Sequence, residues 1–165
     1  MDHFSYRNRV LHCEDVPVRD IAEKFGTPVF IYSQATLVHH LKQVQTAFAE
    51  ANPIICYSVK TNGNIHIGRL MAEHGSGFDV TSGGELYRAL KAGGAPNKIV
   101  FAGVGKTDAE IRMALEADIL FFNVESEQEL HNLSVSPKRW ALSLGQRCEL
   151  ILICRPKRMP RRILQ

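Results

Sequence analysis

The fold is decided by one stretch near the middle of the chain, Gly77-Phe78-Asp79-Val80-Thr81-Ser82-Gly83-Gly84-Glu85-Leu86. Its first half is a short apolar run of the kind that forms a buried strand. Its second half matches a capping box, in which Ser82 accepts a hydrogen bond from a free backbone N–H and Glu85 reaches back to the helix start. The stretch therefore predicts a strand that leads directly into a helix.

Similar apolar, β-branched runs recur along the chain and predict further strands. Their centres lie about 21 residues apart, and the runs cover residues 53–59, 77–81, 98–101 and 118–122. Capping boxes that begin at Thr107 and Ser126 predict two more helix starts. Glycines that are typical of helix ends follow the helical segments, at Gly26, Gly75 and Gly93-Gly94. An apolar stripe also predicts an amphipathic helix before the first of these strands, formed by Leu37, Val38, Leu41, Val44, Ala47 and Phe48.

Strands that alternate with helices at this short period favour a (β/α)₈ barrel over an open doubly wound sheet. Four units make half a barrel, so we expect residues 33–134 to be a partial TIM-like α/β barrel with open edges. Residues 1–32 form a segment leading into it, with a helix predicted at Val18–Phe25 and a strand at 27–32. Beyond Ser134 the pattern decays, and only residues 149–154 are typical of a strand.

The composition is that of a soluble globular domain. The 165 residues are 45% hydrophobic and 22% charged, and they are enough to bury one core. No apolar run approaches the roughly 18 residues that span a bilayer, and the N-terminus does not resemble a secretory signal. The four cysteines form no C-x-x-C pair, so free thiols in the reducing cytoplasm are expected.

Charge is distributed unevenly between the predicted barrel and the last part of the chain. Residues 1–134 hold 12 Lys or Arg against 16 Asp or Glu, whereas residues 135–165 hold 8 against one. A basic arm for nucleic acid or anionic lipid, a solvated tail and a non-native continuation would each give this balance. Within residues 135–165, Trp140 is the only aromatic residue that could stack on a base, which disfavours nucleic-acid binding by this segment.

Two residues are candidates for chemistry. Lys60, in Tyr57-Ser58-Val59-Lys60-Thr61-Asn62, follows the first predicted barrel strand at the end where such barrels place their active sites. Partial desolvation there would favour the neutral amine needed for a Schiff base, although a solvent-facing lysine at a strand end is the more common case. Asp79 lies inside an apolar strand, where it needs a cationic partner or a hydrogen-bond network.

Other patterns are weaker. Gly83-Gly84 would let a helix N-terminus approach a ligand closely, but a tight turn explains these glycines equally well. Gly103-Val104-Gly105-Lys106-Thr107 lacks the first glycine of a P-loop and is better explained as a turn followed by a helix cap. The histidines have no metal-like spacing, so no metal site is expected; His39 and His40 should be one partly buried and one exposed helix residue.

Four motifs in the same order resemble the fold-type III pyridoxal-phosphate-dependent decarboxylases, a family that acts on ornithine, lysine, arginine and diaminopimelate. The lysine segment resembles the family's Y-x-x-K-x-N motif, and residues 77–86 resemble its next motif. Gly26-Thr27-Pro28-Val29-Phe30-Ile31-Tyr32 is similar to the opening segment of the diaminopimelate decarboxylase branch. Residues 123–130 resemble the N-V-E-S-x-x-E-L segment after the fourth strand.

This resemblance implies a function and a set of partners. Lys60 would bind pyridoxal 5'-phosphate and carry a proton during catalysis, and Asp79 would belong to the shell around the lysine and cofactor. The full-length family member would be a cytoplasmic homodimer that decarboxylates meso-diaminopimelate to L-lysine, with no nucleic-acid or membrane partner. Arginine and ornithine decarboxylases share the lysine motif, but the opening segment favours diaminopimelate.

The resemblance ends near Ser134. Residues 135–165 do not match the family's remaining barrel strands or its C-terminal β domain, and their arginine- and proline-rich sequence resembles a change of reading frame. We therefore expect the 165 residues to be a fragment that is inactive alone. The alternatives are a non-catalytic module that binds pyridoxal phosphate through Lys60 and a non-functional truncated product.

Overall fold

The computed structural model describes residues 2–139 and 151–152, with side chains for residues 2–135. Six α-helices occur in this part of the chain: α1 Val18–Phe25, α2 Gln34–Ala47, α3 Ile65–Glu73, α4 Gly83–Lys91, α5 Asp108–Glu116 and α6 Glu127–Arg139. Eight strands accompany them: β1 Phe4–Arg7, β2 Val10–Cys13, β3 Val16–Pro17, β4 Cys56–Ser58, β5 Gly77–Val80, β6 Ile99–Phe101, β7 Phe121–Val124 and β8 Ile151–Leu152. None of the described helices is both long and apolar enough to cross a membrane.

Strands β4 to β8 form one parallel sheet in chain order. Helices α3, α4 and α5 connect successive strands from β4 to β7, so each strand is followed by a helix. The predicted partial α/β barrel is confirmed by this arrangement. The strand predicted at 149–154 is confirmed at Ile151–Leu152, and the rest of that prediction lies outside the described residues.

Two strands begin later than the sequence predicted. The first barrel strand starts at Cys56, because Pro53 has no N–H to donate and Ile54 is 50% exposed. The fourth starts at Phe121 instead of Asp118, since Asp118 takes a left-handed conformation with φ 54° as the chain leaves α5. Ile119 nevertheless stays in the core at 7% exposure, so the apolar run was a correct signal of burial.

The core lies between the sheet and its helices. Alternate strand residues on the outer face of the sheet are 2% exposed or less, namely Phe78, Val80, Ile99, Phe101, Phe122 and Val124. They pack against apolar side chains of α4 and α5, which are Leu86, Ala89, Ile111 and Ala114. Gly94 allows this packing, because a Cβ at that position would lie 2.7 Å from the ring of Phe78.

The opposite face of the sheet is less covered. Its residues alternate with the core residues along β4, β5 and β7, and most are half-buried: Cys56, Ser58, Asp79, Phe121 and Asn123. In a closed barrel this inner face would point into the lumen. Within the part of the chain that the structure describes, this face is therefore less covered than the outer one.

The three predicted capping boxes share one half of the motif and differ in the other. In each, the Ser or Thr hydroxyl accepts from the backbone N–H three residues later. Only the box at Thr107 closes fully, with Glu110 accepting from the N–H of Thr107 itself. Glu85 and Glu129 reach one residue further back, to the N–H groups of Thr81 and Glu125, and so bind the end of the preceding strand segment.

An N-terminal sheet was not predicted. Strands β1, β2 and β3 pair antiparallel, and the turn between β1 and β2 places Asn8 and Arg9 at φ 49° and 64°. The Glu14 carboxylate joins this sheet to the start of α2 by accepting from the hydroxyl of Ser33 at 2.8 Å and the N–H of Ala35 at 2.9 Å. Asn8 in a two-residue turn was the available sequence signal.

The segment between the N-terminal sheet and the barrel contains one correct prediction and one wrong one. Helix α1 spans the predicted residues Val18–Phe25 and ends at Gly26, which has φ 82°. The strand predicted at 27–32 is wrong, because this segment pairs with no strand among the described residues and Phe30 is 86% exposed. Its β-branched and aromatic content reflects side-chain type, whereas a strand also requires a partner.

Ser33 caps the start of helix α2, and its hydroxyl accepts from the N–H of Thr36. The predicted helix is confirmed, but its apolar stripe is incompletely covered, since Val44 is 43% and Phe48 is 58% exposed. His39 is half-buried and His40 is exposed, as predicted.

Candidate functional site

The C-terminal edge of the parallel sheet carries the two residues singled out in the sequence. Lys60 lies in a single 3₁₀ turn, Val59–Thr61, that directly follows β4. Asp79 lies on the neighbouring strand β5, opposite Ser58. Because the strands are parallel, both residues belong to the same end of the sheet, which is the end where barrel enzymes place their chemistry.

The surroundings of Lys60 differ from the expectation. Partial desolvation was expected, but the Lys60 side chain is exposed, while Val59 beside it is buried at 4%. The turn causes this difference, because it points Val59 into the core and Lys60 away from it. Among the described residues, Lys60 has no hydrogen-bond or ion-pair partner, so no described group occupies its Nζ.

Within the part of the chain that the structure describes, Asp79 is satisfied by a hydrogen bond and not by a cation. The hydroxyl of Ser58 donates to Asp79 Oδ2 at 2.9 Å across the β4–β5 pair. This bond fixes the carboxylate on the inner face of the sheet. Its partner Ser58 lies on β4, two residues before Lys60. Burial, and then the nearby charge of Asp79, raises the pKa of the half-buried Cys56 thiol, so Cys56 is a poor nucleophile.

A second lysine near this edge is fully engaged. Lys106, in the loop between β6 and α5, has a side chain only 1% exposed. Its Nζ donates to the carbonyl oxygens of Gly103 at 2.7 Å and Asn123 at 2.8 Å, and to Glu129 Oε1 at 2.5 Å. The predicted turn and helix cap are confirmed for this segment, and the three acceptors leave Lys106 no free capacity.

Gly83, the first glycine of the pair at the start of α4, has a structural role. The N–H of Gly83 donates to Glu110 Oε1 at 2.9 Å, so this helix N-terminal group is already satisfied. A Cβ on Gly83 would lie 3.1 Å from the Glu110 side chain, which explains the glycine without a ligand. Hydrogen bonds from the N–H groups of Thr107 and Gly83 lower the pKa of Glu110, so this contact is made by the carboxylate.

Three contacts at this edge were missed in the sequence. They are the Ser58–Asp79 bond, the Lys106–Glu129 ion pair, and a bond from the Tyr57 hydroxyl to the carbonyl oxygen of Asn62. Each joins residues of different turns or elements, so no local pattern could reveal them. The alternation of β4 and β5 did place Ser58 and Asp79 on the same face, and that was the available signal.

The chain is similar in sequence to pyridoxal-dependent decarboxylases. Residues 34–150 match the family described as pyridoxal-dependent decarboxylase, pyridoxal binding domain. The diaminopimelate decarboxylase of Neisseria meningitidis serogroup A is 47% identical over 146 residues, which are 88% of this chain and 35% of that protein. The Pseudomonas aeruginosa diaminopimelate decarboxylase is 43% identical over 156 residues, which are 94% of this chain and 37% of that protein.

A solved structure gives the same result. The diaminopimelate decarboxylase of M. jannaschii in complex with L-lysine superimposes with a TM-score of 0.82 at 35% identity, over 85% of this chain and 34% of that one. This chain therefore spans about a third of the length of the relatives it matches. By its sequence match and its fold, the chain belongs to the pyridoxal-dependent decarboxylase family, of which it contains the pyridoxal-binding domain region.

Proposed function

We propose that this chain carries the cofactor-binding lysine of a diaminopimelate decarboxylase. The whole protein would remove one carboxylate from meso-diaminopimelate as carbon dioxide and release L-lysine. The names of the relatives support the substrate, and the lysine complex of the M. jannaschii protein supports the product. Homodimeric assembly and a cytoplasmic location belong to the same proposal.

The exposed amine of Lys60 is the observation that carries the proposal. An aldehyde cofactor requires a primary amine that no other group holds, at a position that a small molecule can reach. Lys60 meets both conditions, since it is exposed at the C-terminal edge and has no partner in the described part of the chain. Lys106 meets neither, because it is buried and donates to three acceptors.

The other residues of the site have supporting roles in this proposal. Pyridoxal phosphate, when bound, supplies an electron sink for the pair left behind as the carboxylate departs. Lys60 would hold the cofactor through Nζ and afterwards return a proton to the substrate carbon. Asp79, oriented by Ser58, would be a fixed carboxylate at the same end of the sheet as Lys60.

We propose the same division of the chain that the sequence indicated. Residues 1–32 would lead into the barrel, residues 33–134 would form its first half, and residues 135–165 would be a divergent basic tail. The family match extends to residue 150 and β8 pairs with β7, so part of this tail would still follow the barrel. In this division Lys60 and Asp79 belong to one unit. Their sequence neighbours Val59 and Phe78 are both part of its hydrophobic core.

Covalent trapping tests the proposal. The 165-residue chain is incubated with pyridoxal phosphate, reduced with borohydride and digested, and the modified lysine is identified by mass spectrometry. We expect the label on Lys60 and its loss in Lys60→Ala. Lys91→Ala is the matched control, because Lys91 is an exposed lysine in the last turn of α4, at the opposite end of the sheet.

Different outcomes separate the candidate functions. Label on Lys60 together with lysine release from meso-diaminopimelate would identify a decarboxylase that is active in this form. Label without lysine release fits a binding module, a candidate favoured by the exposure of Lys60 in the described residues. Equal labelling of Lys60→Ala and the unchanged chain would contradict the proposed role of Lys60.

A further inference from the structure

The turn that carries Lys60 is held at both of its ends. Val59 anchors its first residue in the core at 4% exposure. The hydroxyl of Thr61 donates back to the carbonyl oxygen of Ser58 at 2.8 Å. Beyond the turn, the carbonyl oxygen of Asn62 accepts from the hydroxyl of Tyr57 at 2.9 Å. The position of the Lys60 backbone is therefore set by contacts on either side of it.

Tyr57 is the rigid end of this arrangement. It belongs to β4, which pairs with β5 so that Tyr57 lies opposite Phe78. The two rings meet edge to face, with centroids 6.3 Å apart and an interplanar angle of 88°. The phenol oxygen is thus fixed by the core, and it reaches five residues along the chain to hold the far side of the lysine turn.

Further hydrogen bonds connect Asn62 with the next helix, α3. The side chain of Asn62 accepts from the N–H of Asn64 at 3.0 Å, and the side chain of Asn64 accepts from the N–H of His66 in the first turn of α3. Strand β4, the lysine turn and α3 are therefore linked through Tyr57 and Asn62. Loss of the Tyr57 hydroxyl would free the turn on one side only and would leave the ring packing in place.

We propose that Tyr57 is a positioning residue for Lys60, acting through the carbonyl oxygen of Asn62. Since Lys60 has no side-chain partner among the described residues, only its backbone controls where its flexible stem begins. Fixing that backbone lowers the entropy that must be lost when Nζ bonds to the aldehyde carbon and one water leaves. This inference rests on the proposed attachment of pyridoxal phosphate to Lys60.

Tyr57→Phe tests the inference, because it removes the hydroxyl and keeps the ring. The matched control is Tyr87→Phe, since Tyr87 is 52% exposed on α4. Stopped-flow absorbance measures the first-order rate of adduct formation at saturating pyridoxal phosphate, and its concentration dependence gives the initial affinity. Amide hydrogen exchange of residues 59–62 is measured in parallel without the cofactor.

For Tyr57→Phe we expect a rate about two- to tenfold lower, the effect of one lost hydrogen bond, with little change in initial affinity. We also expect faster exchange confined to residues 59–62, and no change in either measurement for Tyr87→Phe. An unchanged rate and unchanged exchange in Tyr57→Phe would overturn the inference. A general loss of protection across the core would also overturn it, because it would show that the hydroxyl only stabilises the fold.

The design separates this inference from the proposed function. If the unchanged chain forms no adduct at Lys60, the proposed function fails. Hydrogen exchange at residues 59–62 still decides whether the Tyr57 hydroxyl holds the turn.

Discussion

Replacing Lys106 by methionine should destabilise the fold more than any exposed charge change. The substitution keeps an unbranched chain but removes the ammonium group that donates to Gly103, Asn123 and Glu129. These acceptors belong to the loop after β6, the strand β7 and the helix α6. One side chain therefore connects three consecutive parts of the barrel.

The expected magnitude follows from burial. The Lys106 side chain is 1% exposed and that of Glu129 is 10% exposed, so water cannot replace the lost donor. Breaking a buried ion pair on one side typically costs about 3–5 kcal/mol, because the remaining charge is left uncompensated. Among the described residues, the Glu129 carboxylate would then accept only from the N–H of Glu125. Such a cost is a large fraction of the roughly 5–15 kcal/mol that stabilise a domain.

Urea unfolding followed by far-ultraviolet circular dichroism measures the effect. With a slope of about 1–3 kcal/mol per M, the midpoint should fall by on the order of 2 M. Arg112→Met is the control, because Arg112 and Glu116 form an exposed ion pair with side chains 56% and 47% exposed. Its loss should cost less than about 1 kcal/mol.

A double variant checks the reasoning further. Adding Glu129→Gln to Lys106→Met removes the uncompensated charge, so the double variant should be more stable than Lys106→Met alone. Equal midpoints for Lys106→Met and Arg112→Met would refute the argument, since burial would then have no energetic consequence at this pair.

Four further predictions concern other contacts. Gly94→Ala should destabilise the fold by about 1–3 kcal/mol in the same urea assay, because the new Cβ would overlap the ring of Phe78. Gly84→Ala should stabilise it by about 0.5–1 kcal/mol, since the nearest contact of its Cβ is an ordinary 3.9 Å. The lowered pKa of Glu110 predicts a contribution to the free energy of unfolding that is present above about pH 4.3 and is lost as the pH falls through the lowered pKa. The stability of Glu110→Gln should therefore fall less steeply with acid than that of the unchanged chain. The same acid dependence in both would contradict this. Glu14→Gln should speed amide hydrogen exchange in residues 3–17 and leave exchange in the barrel core unchanged, because it weakens the bonds that Glu14 accepts from Ser33 and Ala35 at the start of α2. Unchanged exchange in residues 3–17 would contradict this.

Local patterns in the sequence were enough to predict the repeated unit of the fold. The alternation of apolar runs and capping signals depends on residues within one turn or one strand, so it survives without knowledge of the partners. The helix Val18–Phe25 and the glycine at its end were found in this way. The strand at 27–32 was wrong for the same reason, because local composition cannot show whether a pairing strand is available.

Within the partial barrel, the sequence by itself determined the alternation of strands and helices, the parallel sheet and the position of Lys60 at its C-terminal edge. These features depend on the spacing of residues along the chain, because local spacing decides where a strand ends and which residue comes directly after it. Tertiary structure alone decided that Lys60 is exposed while Lys106 is buried and engaged, that Ser58 satisfies Asp79, and that Tyr57 holds the lysine turn. Those contacts join atoms from separate turns and strands, and only the packing of β4 to α6 brings them within hydrogen-bonding distance.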